Sequence, residues 1–137
     1  MAQLSPVSQP ENSRTSLLDD FLKMSGIYRR NYRSFLDVGC GDGFLTEQRA
    51  VLFGVSLQKT VGVDVRTPSR RLPFEFVQCD FDEQNIPLKD GAFQIATCTQ
   101  VLHHVRRAEL LLKDIARLLD DGGLLIIRET LHESLLN

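Results

Sequence analysis

Residues 34–45 read SFLDVGCGDGFL, and the fold turns on how this stretch is taken. A short apolar run ends in an acid, Asp37, and then turns through Gly39, Gly41 and Gly43, spaced two apart. A strand that breaks into such a turn and restarts as a helix brings bare backbone amides close to a ligand. The helix N-terminus adds partial positive charge at the same spot. Glycine suits the turn because it takes φ > 0 freely and because a Cβ would collide with the ligand. A plain strand-to-helix turn is the bland alternative, and three glycines in register behind an acid weigh against it. The spacing also separates ligand classes. A dinucleotide fingerprint, G-x-G-x-x-G, needs a third glycine where this chain has Phe44. No Gly-Lys-Ser/Thr closes the turn as a P-loop would. A nucleoside-type ligand without a diphosphate fits better.

Outward from this turn, strand and helix signals alternate. Residues 1–13 (MAQLSPVSQPENS) have little to bury and read as a flexible tail, leaving 14–137 as one domain. Ser16 can cap a helix over 17–30, with Asp19 three residues on and an apolar stripe of Leu17, Leu18, Phe21, Leu22 and Met24. A strand at 34–38 and a helix at 44–53, stopped by Gly54, come next. Residues 60–65 are almost wholly apolar and β-branched, as in a buried parallel strand. After a loop at 66–73, strands at 74–79 and 93–98 flank a loop holding Pro87 and the Asp90-Gly91 turn. Residues 102–119 have helical periodicity in two pieces around 105–108. The Asp120-Asp121-Gly122-Gly123 turn then leads into a strand at 124–129.

This alternation predicts an α/β fold, a doubly wound Rossmann-like parallel sheet with right-handed crossovers and helices on both faces. Ligands of such sheets sit at the carboxyl ends of the strands, where strand order reverses. Segments 37–43, Asp64, 79–81 and 98–100 therefore become neighbours in space. Cys40, Cys79 and Cys98 all fall at these strand ends. Either they form a reactive or metal-binding trio, or they are small polarisable fillers beside a ligand, the second being favoured.

Composition bounds the partners. A length of 137 residues allows one domain with a modest core, and a net charge of −2 gives no whole-molecule case for nucleic acid or anionic membrane. Local basic clusters remain at Arg29, Arg30 and Arg33, at Arg66, Arg70 and Arg71, and at Arg106 and Arg107. No apolar run approaches the ~20 residues of a membrane span. Three cysteines without an export signal point to reduced thiols in a cytoplasmic setting, and their spacing matches no zinc motif.

The segment LDVGCGDG at 36–43 resembles motif I of class I S-adenosylmethionine-dependent methyltransferases. The resemblance extends, in order, through VGVDV (61–65), FVQCDF (76–81), FQIATCTQVLHHV (93–105) and LLKDIARLLDDGGLLII (111–127). It implies S-adenosylmethionine as cofactor, S-adenosylhomocysteine as product, and a cofactor site of Asp37, Gly39, Cys40, Gly41, Gly43, Asp64, Val65, Asp80, Phe81, Cys98 and Thr99. In that reading Asp64 accepts hydrogen bonds from both ribose hydroxyls, with Val65 against the adenine. Asp80 accepts from the adenine amino group and Phe81 offers its backbone N–H, although Asp82 and Glu83 leave the register open by a residue or two. Asp37 lies beneath the methionine end, where a carboxylate favours the ammonium directly or through water. Thr97, Cys98 and Thr99 pass the methionine and sulfonium region. Gln94 stands where the family commonly has Asp, a position that tends to be structural.

The expected reaction is in-line displacement of the sulfonium methyl by an O, N or C atom of the acceptor, which asks the protein mainly to position reactants and exclude water. No Ser-His-Asp set is needed. His103 and His104 open the helix after the fourth strand, one of the pair having to face away, and His103 is the candidate catalytic residue, a base toward the acceptor. The fourth motif resembles the small-molecule branch, so a small-molecule acceptor is expected. RNA is the runner-up, kept by Arg66, Arg70 and Arg71 but lacking the Lys-Asp-Lys-Glu set of ribose methyltransferases. A non-catalytic binding scaffold is the second class, and a nicotinamide oxidoreductase is disfavoured by Phe44. The family fold continues through a further helix and an antiparallel pair of strands. The chain is thus expected to be a fragment or minimal domain, able to self-associate through the exposed edge of its fifth strand.

Overall fold

In the computed structural model, residues 20–27 and 31–130 are described. The expected tail at 1–13, the Ser16 cap and the ends of the 17–30 helix lie outside them. Residues 20–25 are helical (α1), and five strands and two helices follow. These are β1 (Phe35–Val38), α2 (Phe44–Phe53), β2 (Thr60–Asp64) and β3 (Glu75–Gln78), then β4 (Phe93–Thr99), α3 (Ala108–Leu118) and β5 (Leu119–Arg128). Short 3-10 turns sit at Leu57–Lys59 and Leu102–His104.

The strands form one sheet of order β3-β2-β1-β4-β5, with every neighbouring pair parallel. β1 is central and all four of its residues are buried. It pairs in register with both β2 (Asp37 opposite Gly62) and β4 (Asp37 opposite Thr97). The chain order reverses beside β1, so the crevice at the carboxyl ends of β1, β2 and β4 is the topological place for a ligand.

Strand alternation sends successive side chains to opposite faces, and a helix covers each face. On one face Phe35, Ile95 and Ile126 pack with Leu22, Ala50, Phe53 and Val55. Phe53 sits edge-to-face with Phe35 at 5.2 Å between ring centroids and with Tyr32 at 6.0 Å. Each such pair adds roughly 0.5–1.5 kcal/mol beyond the area buried. On the other face Leu36, Val38, Val63, Ala96 and Cys98 pack with Leu111, Ile115 and Leu118 of α3. Arg117 fastens α3 to the loop before β4: it bonds Asp114 and Asp90 and donates to the carbonyls of Ile86 and Leu88.

The helical stretch at 102–119 does split in two, and Gly54 ends α2 by donating to the carbonyls of Ala50 and Val51. One boundary differs. The turn expected at 120–123 is absorbed into β5 as a bulge: Phe93 pairs with Leu119 and Ile95 with Leu124, so the intervening residues loop out of the ladder.

Candidate active site

The turn after β1 is built from the backbone outward. The amides of Gly39 and Cys40 both donate to the Val63 carbonyl (2.7 and 3.1 Å), and Gly43 donates to Cys40 (2.9 Å). Gly41 donates to Asp64 Oδ2 at 2.8 Å. The amides expected to be bare are thus engaged within the chain, because a turn this tight must satisfy its own buried polar groups. The reason for glycine also differs from expectation. A Cβ on Gly39 would stand 2.2 Å from Val101 Cγ2, and one on Gly43 would stand 2.8 Å from Leu72 and Phe74. These contacts are with the protein's own side chains. Only Gly41 (φ +54) has open space where its Cβ would be.

Two adjoining cavities open at this crevice. The larger, about 580 Å³, is walled by Asp64, Val65, the loop 66–69, Asp80, Phe81, Asp82 and the turn carrying His104. The second, about 500 Å³, is walled by Asp37, Cys40, Phe44, Leu45, Gln48, Arg49 and Arg128. Gly39, Gly41, Asp42, Thr99 and Gln100 line both. The volumes are those of small-molecule sites.

Asp64 ends β2 with its two oxygens oriented from behind, Oδ2 by Gly41 N–H and Oδ1 by Arg66 N–H at 3.1 Å. Each oxygen retains lone-pair capacity toward the cavity, as two-point recognition of a diol requires. Asp80 Oδ1 takes the Asp82 amide at 3.0 Å, fixing the turn that presents Phe81. Asp42 Oδ1 accepts from Ser69 N–H at 2.8 Å, and this bond holds its carboxyl below the ordinary range.

Asp37 is fully enclosed. Thr97 Oγ1 (2.8 Å) and Thr46 Oγ1 (2.6 Å) donate to its two oxygens, and Arg49 Nη1 lies 3.6 Å away. Burial pushes its pKa up, against the opposing pull of Arg49 and the two hydroxyls. It borders the second cavity while tying β1 to β4 and to α2. Its first partners are these side chains, and any influence on a ligand ammonium reaches through them.

The cysteines part company. Cys40 lines the second cavity, but Cys79 and Cys98 are 1% and 0% exposed, lie in the core beneath α3 and line neither cavity. The expectation that all three face the cleft is corrected for these two: strand alternation turns Cys98 to the α3 side, and Cys79, just past β3, points its thiol at the Gln84 and Asn85 carbonyls. Burial pushes the thiols of Cys40 and Cys98 up to about 12, so they are inert fillers. Among the described residues no group of three His, Cys, Asp or Glu is placed to hold a metal ion.

The histidines also exchange places. His103 Nδ1 lies 2.8 Å from Glu129 Oε2, and His103 lines neither cavity. His104, the member of the pair that was not the candidate, lines the larger one. The 3-10 turn causes this: Glu129 Oε1 also takes the Leu102 amide (2.7 Å), rolling His103 toward β5. An α-helical reading of 102–104 could not have predicted that rotation.

Gln100 was expected at the cleft only as the end of segment 98–100, and Thr46, Arg49 and the loop 66–69 were not expected there. Gln100 has φ 57 and bends the chain off β4 where the two cavities meet; its N–H donates to Arg128 O and its Nε2 to Thr130. A side-chain-bearing residue in this conformation stores roughly 1–3 kcal/mol of strain. Thr46 and Arg49 carry no motif signal beyond their helical spacing from the turn. The loop 66–69 has no regular structure to betray it.

Residues 36–127 match the methyltransferase domain family. The chain is 32% identical over 97 residues to a ubiquinone biosynthesis O-methyltransferase of Xanthomonas oryzae pv. oryzae, a match covering 67% of this chain and 41% of that protein. In fold it resembles the [4+2]-cyclase SpnF (TM-score 0.64, 23% identity, 82% of this chain and 43% of that one). It also resembles phosphoethanolamine N-methyltransferase 2 of Haemonchus contortus, solved with S-adenosyl-L-methionine (TM-score 0.60, 24% identity, 77% and 27%). The chain thus spans less than half the length of these proteins, and the two structures speak to the fold alone. No helix among the described residues is long and apolar enough to cross a membrane. With five motif segments in order on a parallel sheet and a family match over most of its length, this chain belongs to the methyltransferase domain family, whose cofactor is S-adenosylmethionine.

Proposed function

We propose that this chain is the cofactor-binding domain of an S-adenosylmethionine-dependent methyltransferase acting on a small-molecule acceptor. The carrying observation is Asp64: a carboxylate aimed by two amides into a nucleoside-sized cavity that joins a second cavity at Thr99 and Gln100. The residues suit the cofactor. Asp64 holds the ribose hydroxyls, Val65 and Phe81 sandwich the base, Asp80 reads its edge, and the cavity walled by Gly39, Cys40, Gly41, Gly43 and Thr99 takes the amino-acid end. When bound, S-adenosylmethionine supplies a methyl group already activated on sulfur.

What remains to the protein is placement and exclusion of water. Thr99 and Gln100, common to both cavities, mark where the reacting atoms meet. His104 is the imidazole on that wall and takes the proton-accepting role assigned on sequence grounds to His103. His103 instead braces the turn against Glu129. Asp37 and Arg49 keep the floor rigid. Three free cysteines suit a reducing, cytoplasmic compartment. β5 pairs with β4 as the outer strand of the described sheet, so association through that edge, with a second copy or with further strands, belongs to the same reading.

Isothermal titration with S-adenosylmethionine and S-adenosylhomocysteine, paired with a methyl-transfer assay over hydroxyl, amine and RNA acceptors, tests the proposal. Micromolar binding with transfer to a small molecule supports it, and transfer to RNA alone moves the acceptor class. One fold neighbour is a cyclase, which gives a second reading substance: binding without any transfer would favour a domain that uses the site for something else.

A further inference from the structure

The wall of the larger cavity formed by residues 66–69 belongs to a loop, 66–73, without regular secondary structure. Beside the packing of Leu72 against Gly43, its polar hold on the glycine turn centres on one side chain. Arg70 Nε donates to the Asp42 carbonyl at 2.7 Å, its Nη2 pairs with Glu47 of α2, and its guanidinium lies 3.9 Å from the centre of the Phe44 ring. Next to it, Ser69 N–H donates to Asp42 Oδ1 at 2.8 Å. A planar fork that bonds edge-on while stacking face-on is something Arg can do and Lys cannot. Phe44 itself is 60% exposed, and its ring both borders the second cavity and carries this stack. That assigns a use to the bulky residue that breaks the dinucleotide fingerprint.

We propose that Arg70 is a positioning residue for the cofactor: by clasping 66–73 onto Asp42, Phe44 and Glu47 it keeps the outer wall of the larger cavity in place. The proposal rests on the methyltransferase reading for the identity of the ligand. The clasp itself does not. Arg70 is absent from the linings of both cavities, so its effect on a ligand runs through the loop. If the loop opens, only the closed fraction binds, and apparent affinity falls by that fraction.

The test has a ligand-free arm and a binding arm. Hydrogen exchange by mass spectrometry on the ligand-free protein should show Arg70→Ala raising exchange in peptides covering 66–73 severalfold, with β1 and β4 unchanged. Unchanged exchange in the loop would overturn the clasp. In calorimetry with S-adenosylhomocysteine, Arg70→Ala should weaken binding about five- to tenfold, the size of one stacked cation plus one surface ion pair. Arg70→Lys, which keeps the charge near Glu47, should recover part of that loss. Raising salt from about 0.05 M to about 1 M should weaken the wild type and leave Arg70→Ala nearly level, since only the wild type has the ion pair to screen. A purely structural role would show none of this salt contrast. Affinity equal to wild type in a variant whose loop exchanges faster would overturn the positioning role. Failure of the wild type to bind S-adenosylhomocysteine at all would overturn the functional reading and the positioning role with it. The exchange arm would still separate a wrong ligand from a loose loop.

Discussion

Replacing Gly39 by alanine separates packing from backbone strain in the turn that makes the site. The added Cβ would lie 2.2 Å from Val101 Cγ2, whereas carbon atoms in contact sit ~3.5–4.0 Å apart. Over an ångström must therefore be found by moving Val101 or the turn. Neither is free. Val101 is buried at 8% exposure, and the 3-10 turn that follows it is pinned through Leu102 and His103 to Glu129. The φ of +82 adds strain of about 1–2 kcal/mol for any L-residue, and overpacking adds about 1–3 kcal/mol. Gly41 supplies the control. It has φ +54 and nothing within 4 Å of the built Cβ, so Gly41→Ala should cost only the strain, about 1–2 kcal/mol. Urea denaturation of both variants and of Gly39→Ala/Val101→Ala forms a cycle. Gly39→Ala should be the worse by about 1–3 kcal/mol. The pair with Val101→Ala should lose less than the sum of its parts by about 1–2 kcal/mol. Function should invert the order: Gly41→Ala, whose methyl enters the shared part of the cavities, stays folded but loses ligand affinity. If Gly39→Ala costs no more than Gly41→Ala, or the cycle shows no coupling, the packing account of this turn is wrong.

Three further outcomes can be read with ordinary assays. Asp37→Ala strands Arg49 at the buried floor and should cost about 3–5 kcal/mol in urea denaturation. Asp37→Asn should cost clearly less, because burial already disfavours the charge there; equal losses would refute this view of the floor. The thiols of Cys40 and Cys98 stay protonated in the fold to about 12 while unfolded thiols ionise near their ordinary 9.0. Their contribution to stability is therefore complete below that value and lost as pH rises from it, at about 1.4 kcal/mol per pH unit per thiol. Cys40→Ala and Cys98→Ala should flatten the alkaline decline in stability, and an unchanged slope would contradict the burial argument. Asp64→Ala should weaken S-adenosylhomocysteine roughly 10- to 100-fold in calorimetry, the worth of hydrogen bonds to a charged group, with only minor loss of stability. Retained affinity would remove Asp64 from the site.

Much of the architecture was legible because backbone rules wrote it. The buried runs at β1, β2 and β4, the glycine at the end of α2 and the break before α3 each follow from local chemistry. The helices between β1 and β2 and between β4 and β5 make those crossovers parallel. Orientation within the site was less legible. Cys98 shares its strand end with Thr99, a wall residue, yet alternation buries it beneath α3, and Asp37, although it borders the second cavity, is held by Thr46, Thr97 and Arg49. His103 and His104 are indistinguishable in sequence, and only the long-range grip of Glu129 decides which one reaches the cavity. Arg70 read as one of a basic cluster that kept RNA in view, because the carbonyl, ring and carboxylate that it meets lie 23 to 28 residues earlier in the chain.

The central claim is that one nucleoside-bearing ligand lies across both cavities, anchored at Asp64. A crystal structure of the protein grown with S-adenosylhomocysteine measures this directly. The account predicts ribose hydroxyls on the Asp64 carboxylate, the base between Val65 and Phe81, and the amino-acid end beside Gly39 and Cys40. Ligand density elsewhere, with Asp64 still meeting only solvent and the amides of Gly41 and Arg66, would contradict it.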